Sequence, residues 1–469
     1  MKKLIYIISL FGLVSQAQDA PPNFQVYNYT DMGILFSSED VSGTARFAGL
    51  NGSMGAVGGD LSSININPAG IAIYNNNEVN LTLGSYNYNN STDYYNSSMN
   101  NKSTTFNTDQ VGAVFVFRDA ITTNDWSKVS FAVNYQKMNN FHSRDLFSGN
   151  GGQSSFNYHP DDENYEYNDA QNQVFYNYTD GKTSKINLAL AGQYGHNFYA
   201  GFSLNLHNLN FSQSTRLNEF NNDNSGNTLN ASSVQNNSQT ADGISINLGF
   251  IYKPINEVRL GLSYESPNWY YNVTEDFNSK IIIDGGVPSK NLDRITIIED
   301  PSYAEYKLRT PSKITASGAI VIGKSGFINI DYMYKTYNSL NLKGSSQNNI
   351  IEFQNNNQYF TDVLHNTQNI NLGGEFRLQN VSLRGGFGYE QSPFKSKLDP
   401  RNIDVLKLGN RYSASLGAGI RFGASRLDIA YRRTQQETAY DFYDPYQNVN
   451  TSTINNNNSR IVATYTYSF

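Results

Sequence analysis

The chain has 469 residues, a net charge of -6 and 16% charged residues, against about 25% in an average soluble domain. It has no cysteine, which excludes disulfides, thiolate metal sites and a cysteine-anchored lipoprotein. Its Lys and Arg form few clusters, so no electrostatic footprint for nucleic acid is present, while 34 Tyr, 27 Phe and abundant Asn and Gly describe many strands joined by polar turns.

The N-terminus reads MKK, then the apolar run LIYIISLFGLV, then SQA ending at Ala17. That order is a secretory signal peptide over residues 1–17, and the run is too short to span a bilayer. The mature chain is expected to begin at Gln18. The alternative is a buried N-terminal helix.

Residues 18–77 do not alternate in hydrophobicity. GTARFAGLNGSMGAVGGDLSSININPAG (43–70) is rich in Gly, Ala and Ser, with Phe47, Leu50, Met54, Val57 and Leu61 interspersed. Small residues allow tight turns and close packing. A segment of this size is poor in apolar residues for an independent domain, and a barrel of fourteen strands leaves a lumen to fill. Residues 18–77 are therefore expected to form a hatch, or plug, inside a barrel; a flexible periplasmic tail is the other reading.

From residue 78 to 469 the pattern has a period of two. In RYSASLGAGIRF (411–422), Tyr412, Ala414, Leu416, Ala418, Ile420 and Phe422 share one face. Strands place successive side chains on opposite faces. Fourteen candidate strands follow: 78–88, 108–118, 128–141, 183–195, 197–210, 242–253, 256–265, 303–323, 326–340, 362–379, 380–391, 410–422, 425–437 and 459–469. Very short links (GHN, KPIN, GKSG, QN, FGAS) alternate with long polar ones at 142–182, 211–241, 266–302, 341–361, 392–409 and 438–458. Short turns on one side and long loops on the other are what an outer-membrane barrel needs, and the chain ends on the aromatic Phe469. The expected fold is all-β: a transmembrane antiparallel β-barrel of about 14 strands, in the outer membrane of a Gram-negative cell, with its hatch in the lumen. Alternation also turns Arg259, Glu265, Asp331, Lys335, Glu375, Arg377, Arg384, Glu390, Arg421, Arg426, Asp428 and Arg432 inward.

GAIVIGKS (318–325) matches the phosphate-cradling pattern G-x-x-x-x-G-K-[ST], yet Ala319–Ile322 is β-prone and Phe327–Tyr332 alternates again. A strand and a hairpin turn are expected there, and no nucleotide. The five histidines have no metal-ligand spacing, no GxSxG elbow occurs, and NNDNSGN (221–227) lacks the spaced acidic ligands of a calcium loop. No catalytic residue, metal or cofactor is expected, and the protein is read as a non-enzyme.

At this point the chain resembles the FadL/TodX-type outer-membrane family of long-chain fatty-acid and hydrophobic-compound transporters, as a Bacteroidetes-like member. The resemblance lies in NPAG (67–70) before the first strand, LRTPSKITASGAI (308–320), VSLRGGFGYEQSPF (381–394) and NRYSASLGAGIRF with RLDIAYRR (410–433). It implies a fourteen-strand barrel, a hatch to which Phe47, Asn67, Pro68, Ala69 and Gly70 map, and passive uptake of hydrophobic molecules. In such a protein the ligand is captured among extracellular loops and leaves through a lateral gap near the third strand. Trp269, Tyr270, Tyr271, Phe277, Ile281, Ile282 and Ile283, in the fourth long loop, are the candidate capture groove; the other reading is that they rigidify the loop. Residues 211–241 depart from the family in being almost wholly polar. The expected partners are outer-membrane lipid and a hydrophobic small-molecule ligand, with outer-membrane protein partners as a candidate. The competing function is a non-transporting barrel that scaffolds a larger outer-membrane assembly.

Overall fold

A computed structural model describes residues 26–118, 125–152, 154–286, 292–344, 347–395, 406–443 and 451–469. The proposed signal peptide lies outside the described residues. Fourteen antiparallel strands close on themselves. They are β1 (Glu78–Tyr94), β2 (Ser97–Arg118), β3 (Trp126–Asn140, continued by Ser143–Gly149), β4 (Asp169–Tyr194), β5 (Phe198–Asn222), β6 (Thr228–Tyr252) and β7 (Val258–Glu265, continued by Trp269–Gly286). There follow β8 (Ser302–Arg309, then Lys313–Ile322), β9 (Gly326–Lys335, then Asn341–Gly344), β10 (Thr367–Leu378), β11 (Val381–Glu390), β12 (Leu406–Phe422), β13 (Ser425–Tyr440) and β14 (Ser452–Ser468). Each pairs with its sequence neighbours, and β1 meets β14 from Glu78↔Ser468 up to Asp93↔Thr453, which closes the wall. A closed barrel leaves no edge to be satisfied by lipid.

The outer face carries an apolar belt. Leu81, Leu190, Phe202, Leu262, Ile330, Leu372, Leu416 and Ile429 are exposed there. Tyrosines 264, 332, 334, 412 and 431 line its upper rim, and Tyr194, Tyr252, Phe376, Phe422 and Tyr467 its lower one, as interfacial girdles do. Gly323–Ser325 is the hairpin turn between β8 and β9, so the GAIVIGKS segment is strand and turn.

Three of the expected long loops are corrected. Residues 211–241 are two strand arms, β5 and β6 paired without a break from Phe198↔Tyr252 to Asn222↔Thr228. Much of 142–182 belongs to β3 and β4, and much of 266–302 to β7. The arms stand above the belt, where Asn, Ser and Gln occupy both faces. Their burial alternates, but their hydrophobicity does not. Within 341–361 lies most of a helix, α3 (Gln347–Val363); by chain order its label follows two helices of the N-terminal segment.

That segment fills the lumen. α1 (Tyr29–Ser37) starts at a capping box: Asn28 Oδ1 accepts from the Thr30 and Asp31 amides, and the Asn28 amide donates to Asp31 at 2.9 Å. α2 (Ala45–Gly49) is capped by Thr44, and two short 3₁₀ turns, Leu61–Asn65 and Pro68–Ile73, precede β1. Phe47 packs with Leu50, Met54, Val57 and the wall residue Phe327. Asn67 caps the second turn, its amide donating to the Gly55 carbonyl (2.9 Å) and to the Phe250 carbonyl of β6 (3.0 Å). Pro68 and Ala69 then press on the wall where it has no side chain. A Cβ at Gly249 would stand 2.0 Å from Asn67 Oδ1, and one at Gly201 would stand 2.4 Å from the Ala69 nitrogen. Gly70 meets Gly58 backbone to backbone, and a Cβ on Gly58 would lie 2.6 Å from its Cα. The NPAG segment is thus a turn that docks against glycines.

Gly249→Val is expected to expel that turn while leaving the barrel folded. A loss of about 1–3 kcal/mol is the usual cost of overpacking. The check is limited proteolysis: cleavage within 43–70 should accelerate, with the barrel's heat-modifiable gel mobility unchanged.

Candidate functional site: a break in the wall beside an internal cavity

The β2–β3 ladder is incomplete. It runs from Arg118↔Lys128 to Gln110↔Gln136; above it, β2 pairs with β1 alone. β3 turns inward. Its ladder with β4 shifts register between Lys137 and Asn139, and its upper part, Ser143–Gly149, pairs only with β4 and packs behind the β1–β2 hairpin. Asn90 donates to Asp145 at 2.8 Å there. The freed arm of β2 alternates between half-buried and exposed residues, as expected of a strand with one neighbour.

Side chains bridge it instead of backbone. Lys137 Nζ lies 3.0 Å from Asp109 Oδ1, with both side chains almost fully buried. The Tyr86 hydroxyl donates to the other Asp109 oxygen at 2.6 Å, and its ring lies 3.8 Å from the Lys137 ammonium. Higher up, His142 Nε2 is 3.1 Å from Ser103 Oγ, and Asn140 donates to the Tyr88 hydroxyl at 2.7 Å. The hatch supplies the missing backbone partner. The Asp40 amide donates to the Met138 carbonyl (2.9 Å), Asn139 to Ser38 Oγ (2.8 Å) and Gln136 to the Ser42 carbonyl (2.6 Å).

Behind the break is a cavity of about 220 Å³. Tyr27, Leu35, Phe141 and Ile454 give it an apolar side; Asp40, Lys137, Arg432 and Arg460 give it a charged one. Arg460 is buried, with Nε and one terminal nitrogen unpartnered by hydrogen bond. Above the cavity the lumen is packed with apolar groups. Met32, Ile34 and Phe36 of α1 meet Phe147, Phe175, Phe211 and Tyr440 of the wall, and Phe353 and Phe360 of α3. Phe175 and Phe442 stack with ring centroids 4.5 Å apart.

Below it, charges tie the hatch to the wall in two layers. In the upper layer Glu39 meets Lys313 (2.6 Å), while Asp40 meets Arg432 (2.6 Å) and Arg460 (3.4 Å). Burial pushes both carboxyls up, but Lys313 beside Glu39 and the two guanidiniums beside Asp40 outweigh it and hold both well below the usual carboxylate range. In the lower layer Arg46 meets Glu375 (2.8 Å), which Arg384 also holds (2.7 Å) while reaching Asp428 (2.7 Å). Of the charges expected to face inward, Glu265, Asp331, Lys335, Glu375, Arg384, Asp428 and Arg432 are buried in the lumen. Arg421 is exposed at the short-turn mouth.

The candidate capture residues divide. Tyr270, Ile281 and Ile283 face inward and join the apolar core above the cavity. Trp269 and Tyr271 are exposed on the outer face, 40% and 57% accessible. Phe277 and Ile282 are half-buried. Strand alternation separates them, so they do not converge on one groove. Of the hatch residues, Asn67, Pro68, Ala69 and Gly70 come together as one docking turn, with Phe47 in a separate cluster. Sequence reasoning missed Tyr86, Asp109, Lys137 and His142. The one available signal was the run of polar residues Gln136-Lys137 inside an otherwise alternating strand.

The fold is shared with solved channels. A Pseudomonas aeruginosa FadL homologue superimposes with a TM-score of 0.58 at 16% identity, over 91% of this chain and 98% of its own. The P. putida toluene transporter TodX gives 0.55 at 12% identity over 92% and 99%, and the monoaromatic hydrocarbon channel CymD gives 0.52 at 13% over 92% and 98%. No protein-family model and no curated protein matches the sequence.

Two outcomes follow. Asp109→Asn strands the Lys137 ammonium, and uncompensated buried charges cost about 3–5 kcal/mol; amide exchange of residues 100–110 is expected to accelerate more than that of β5. The second concerns acid. Carboxyls with depressed values stabilise the folded state fully above their unfolded value near pH 4, and that stability is lost progressively as pH falls from there through the lower folded value. The Glu39–Asp40 latch should hold from about pH 5 to 8, weaken below about pH 4 and release only well below the usual carboxylate range. Trypsin cleavage after Arg46, following brief acid exposure, reads this out.

Proposed function

We propose that this protein carries hydrophobic or amphipathic small molecules, such as long-chain fatty acids, passively inward across an outer membrane. The observation that carries the reading is the internal cavity, apolar on one side and charged on the other, which abuts the break between β2 and β3. Ligand pockets are concave and mostly apolar, with a few placed polar groups. A molecule in this cavity reaches lipid by displacing side chains alone, since no backbone ladder stands in the way above Gln110 and Gln136. The fold shared with a monoaromatic hydrocarbon channel and a toluene transporter supports the same class of cargo. Capture begins on the outer face of the β7 arm, near its base, where Trp269 and Tyr271 offer an exposed apolar surface.

The experiment uses the absence of native cysteine. Ser103→Cys and His142→Cys, joined by a short thiol cross-linker, should tether β2 to β3. Uptake of a fluorescent long-chain fatty acid by cells bearing the protein is expected to fall about tenfold on cross-linking and to survive in the unlinked double variant. Uptake that ignores the tether would refute the lateral route.

The scaffold reading has one observation of its own. Ile295–Ile298 pairs with β7 on one side only, and Ile298 and nearby Tyr303 are 71% and 60% exposed. Exposed apolar edge strands invite pairing with another chain. Wild-type protein that takes up no fatty acid and purifies as a stable multi-protein particle would favour it.

A further inference from the structure

We propose that the barrel mouth on the short-turn side is an oxyanion-binding site, taking a carboxylate or phosphate group from the periplasmic water. Below the hatch lies an open cavity of about 780 Å³. Six guanidinium groups line it: Arg46, Arg259, Arg377, Arg384, Arg421 and Arg426. The carboxylates near them are Glu78 and Glu375, with Asp428 and Asp60 just behind. Guanidinium groups therefore outnumber carboxylates at the mouth, six to four, in a chain whose net charge is -6.

This excess exceeds what hatch anchoring requires. Arg46 and Arg384 hold Glu375 at 2.8 and 2.7 Å, and Arg384 with Arg426 holds Asp428 at 2.7 and 2.8 Å. Arg377 adds a third guanidinium to Glu375 at 2.6 Å, so both oxygens of that carboxylate are engaged. Nothing remains for the other two. Arg259 donates one bond to the Val57 carbonyl (2.9 Å), and its buried Nε has no hydrogen-bond partner. Arg421 is exposed and makes no ion pair among the described residues. Like charges gathered in a concave mouth with low-dielectric walls repel one another and raise the local concentration of anions. Guanidinium forks match the paired oxygens of carboxylate and phosphate. Gly59 and Gly423 put no side chain into the cavity.

Two sources present this chemistry: a free periplasmic anion and the head group of an anionic amphiphile. The test uses the full-length protein in neutral detergent, with inorganic phosphate and decanoate as calorimetric probes. The variant is Arg259→Gln with Arg421→Gln. Phosphate affinity reduced about tenfold in the variant, and falling with added salt, supports a site for free anions. Decanoate affinity reduced about tenfold with no phosphate binding supports a head-group site. Affinities for both probes within about twofold of wild type would overturn the proposal. Arg421→Gln alone, at an exposed side chain, keeps the test open if the double variant fails to fold. Because the two positions lie below the hatch, a negative result here leaves the lateral uptake route standing.

Discussion

Hydrocarbon offers no hydrogen bonds, so each backbone amide at membrane depth must find a partner inside the protein, at a cost of several kcal/mol if it does not. Among the described residues, the other ladders of the belt meet this demand strand against strand. The ladder between β2 and β3 does so only below Gln110–Gln136. Its upper part survives because other groups stand in. Lys137, Asp109 and Tyr86 span the break, and the Asp40 amide takes the Met138 carbonyl. The hatch is therefore part of the wall as well as a filling.

The same segment explains the charge layers. Asp40 donates its amide to β3 and offers its carboxylate to Arg432 and Arg460 across the lumen. Glu39, its neighbour, reaches Lys313 on β8. Two consecutive residues thus pin the descending chain to strands on different sides of the barrel. Buried ion pairs contribute little net stability compared with apolar packing, but breaking one is expensive. Here they specify where the hatch sits, while Phe47, Met54 and the glycine-seated NPAG turn supply the packing.

The barrel was legible because its membrane-embedded parts obey one rule, apolar outward and polar or small inward. RYSASLGAGIRF displays that rule plainly, and the short turns punctuate it. The arms of β5 and β6 were hidden. Their outer face meets water, so Asn210, Ser232 and Thr240 there carry no contrast with inward Gln213, Asn237 and Gln239. The placing of the candidate capture residues was hidden for a related reason: a loop was expected, and a strand sends Tyr270 and Tyr271 to opposite faces. The break at β3 leaves almost no trace in sequence. A register shift is a property of two strands together, and one chain read alone lists only its residues.

The order of environments along the lumen bears on the route. On the transport reading proposed above, an apolar cargo entering from the loop ends would meet the aromatic packing around Phe175 and Phe442, then the cavity, then Glu39 and Asp40 with their partners, then Arg46, Glu375, Arg384 and Asp428. Going straight down would desolvate the cargo's path through two charged layers and part several buried ion pairs, each at a cost of about 3–5 kcal/mol. Going sideways parts essentially one, Lys137–Asp109, and ends in lipid, where an apolar molecule is already at home. A neutral hydrocarbon would take the sideways path on energetic grounds alone.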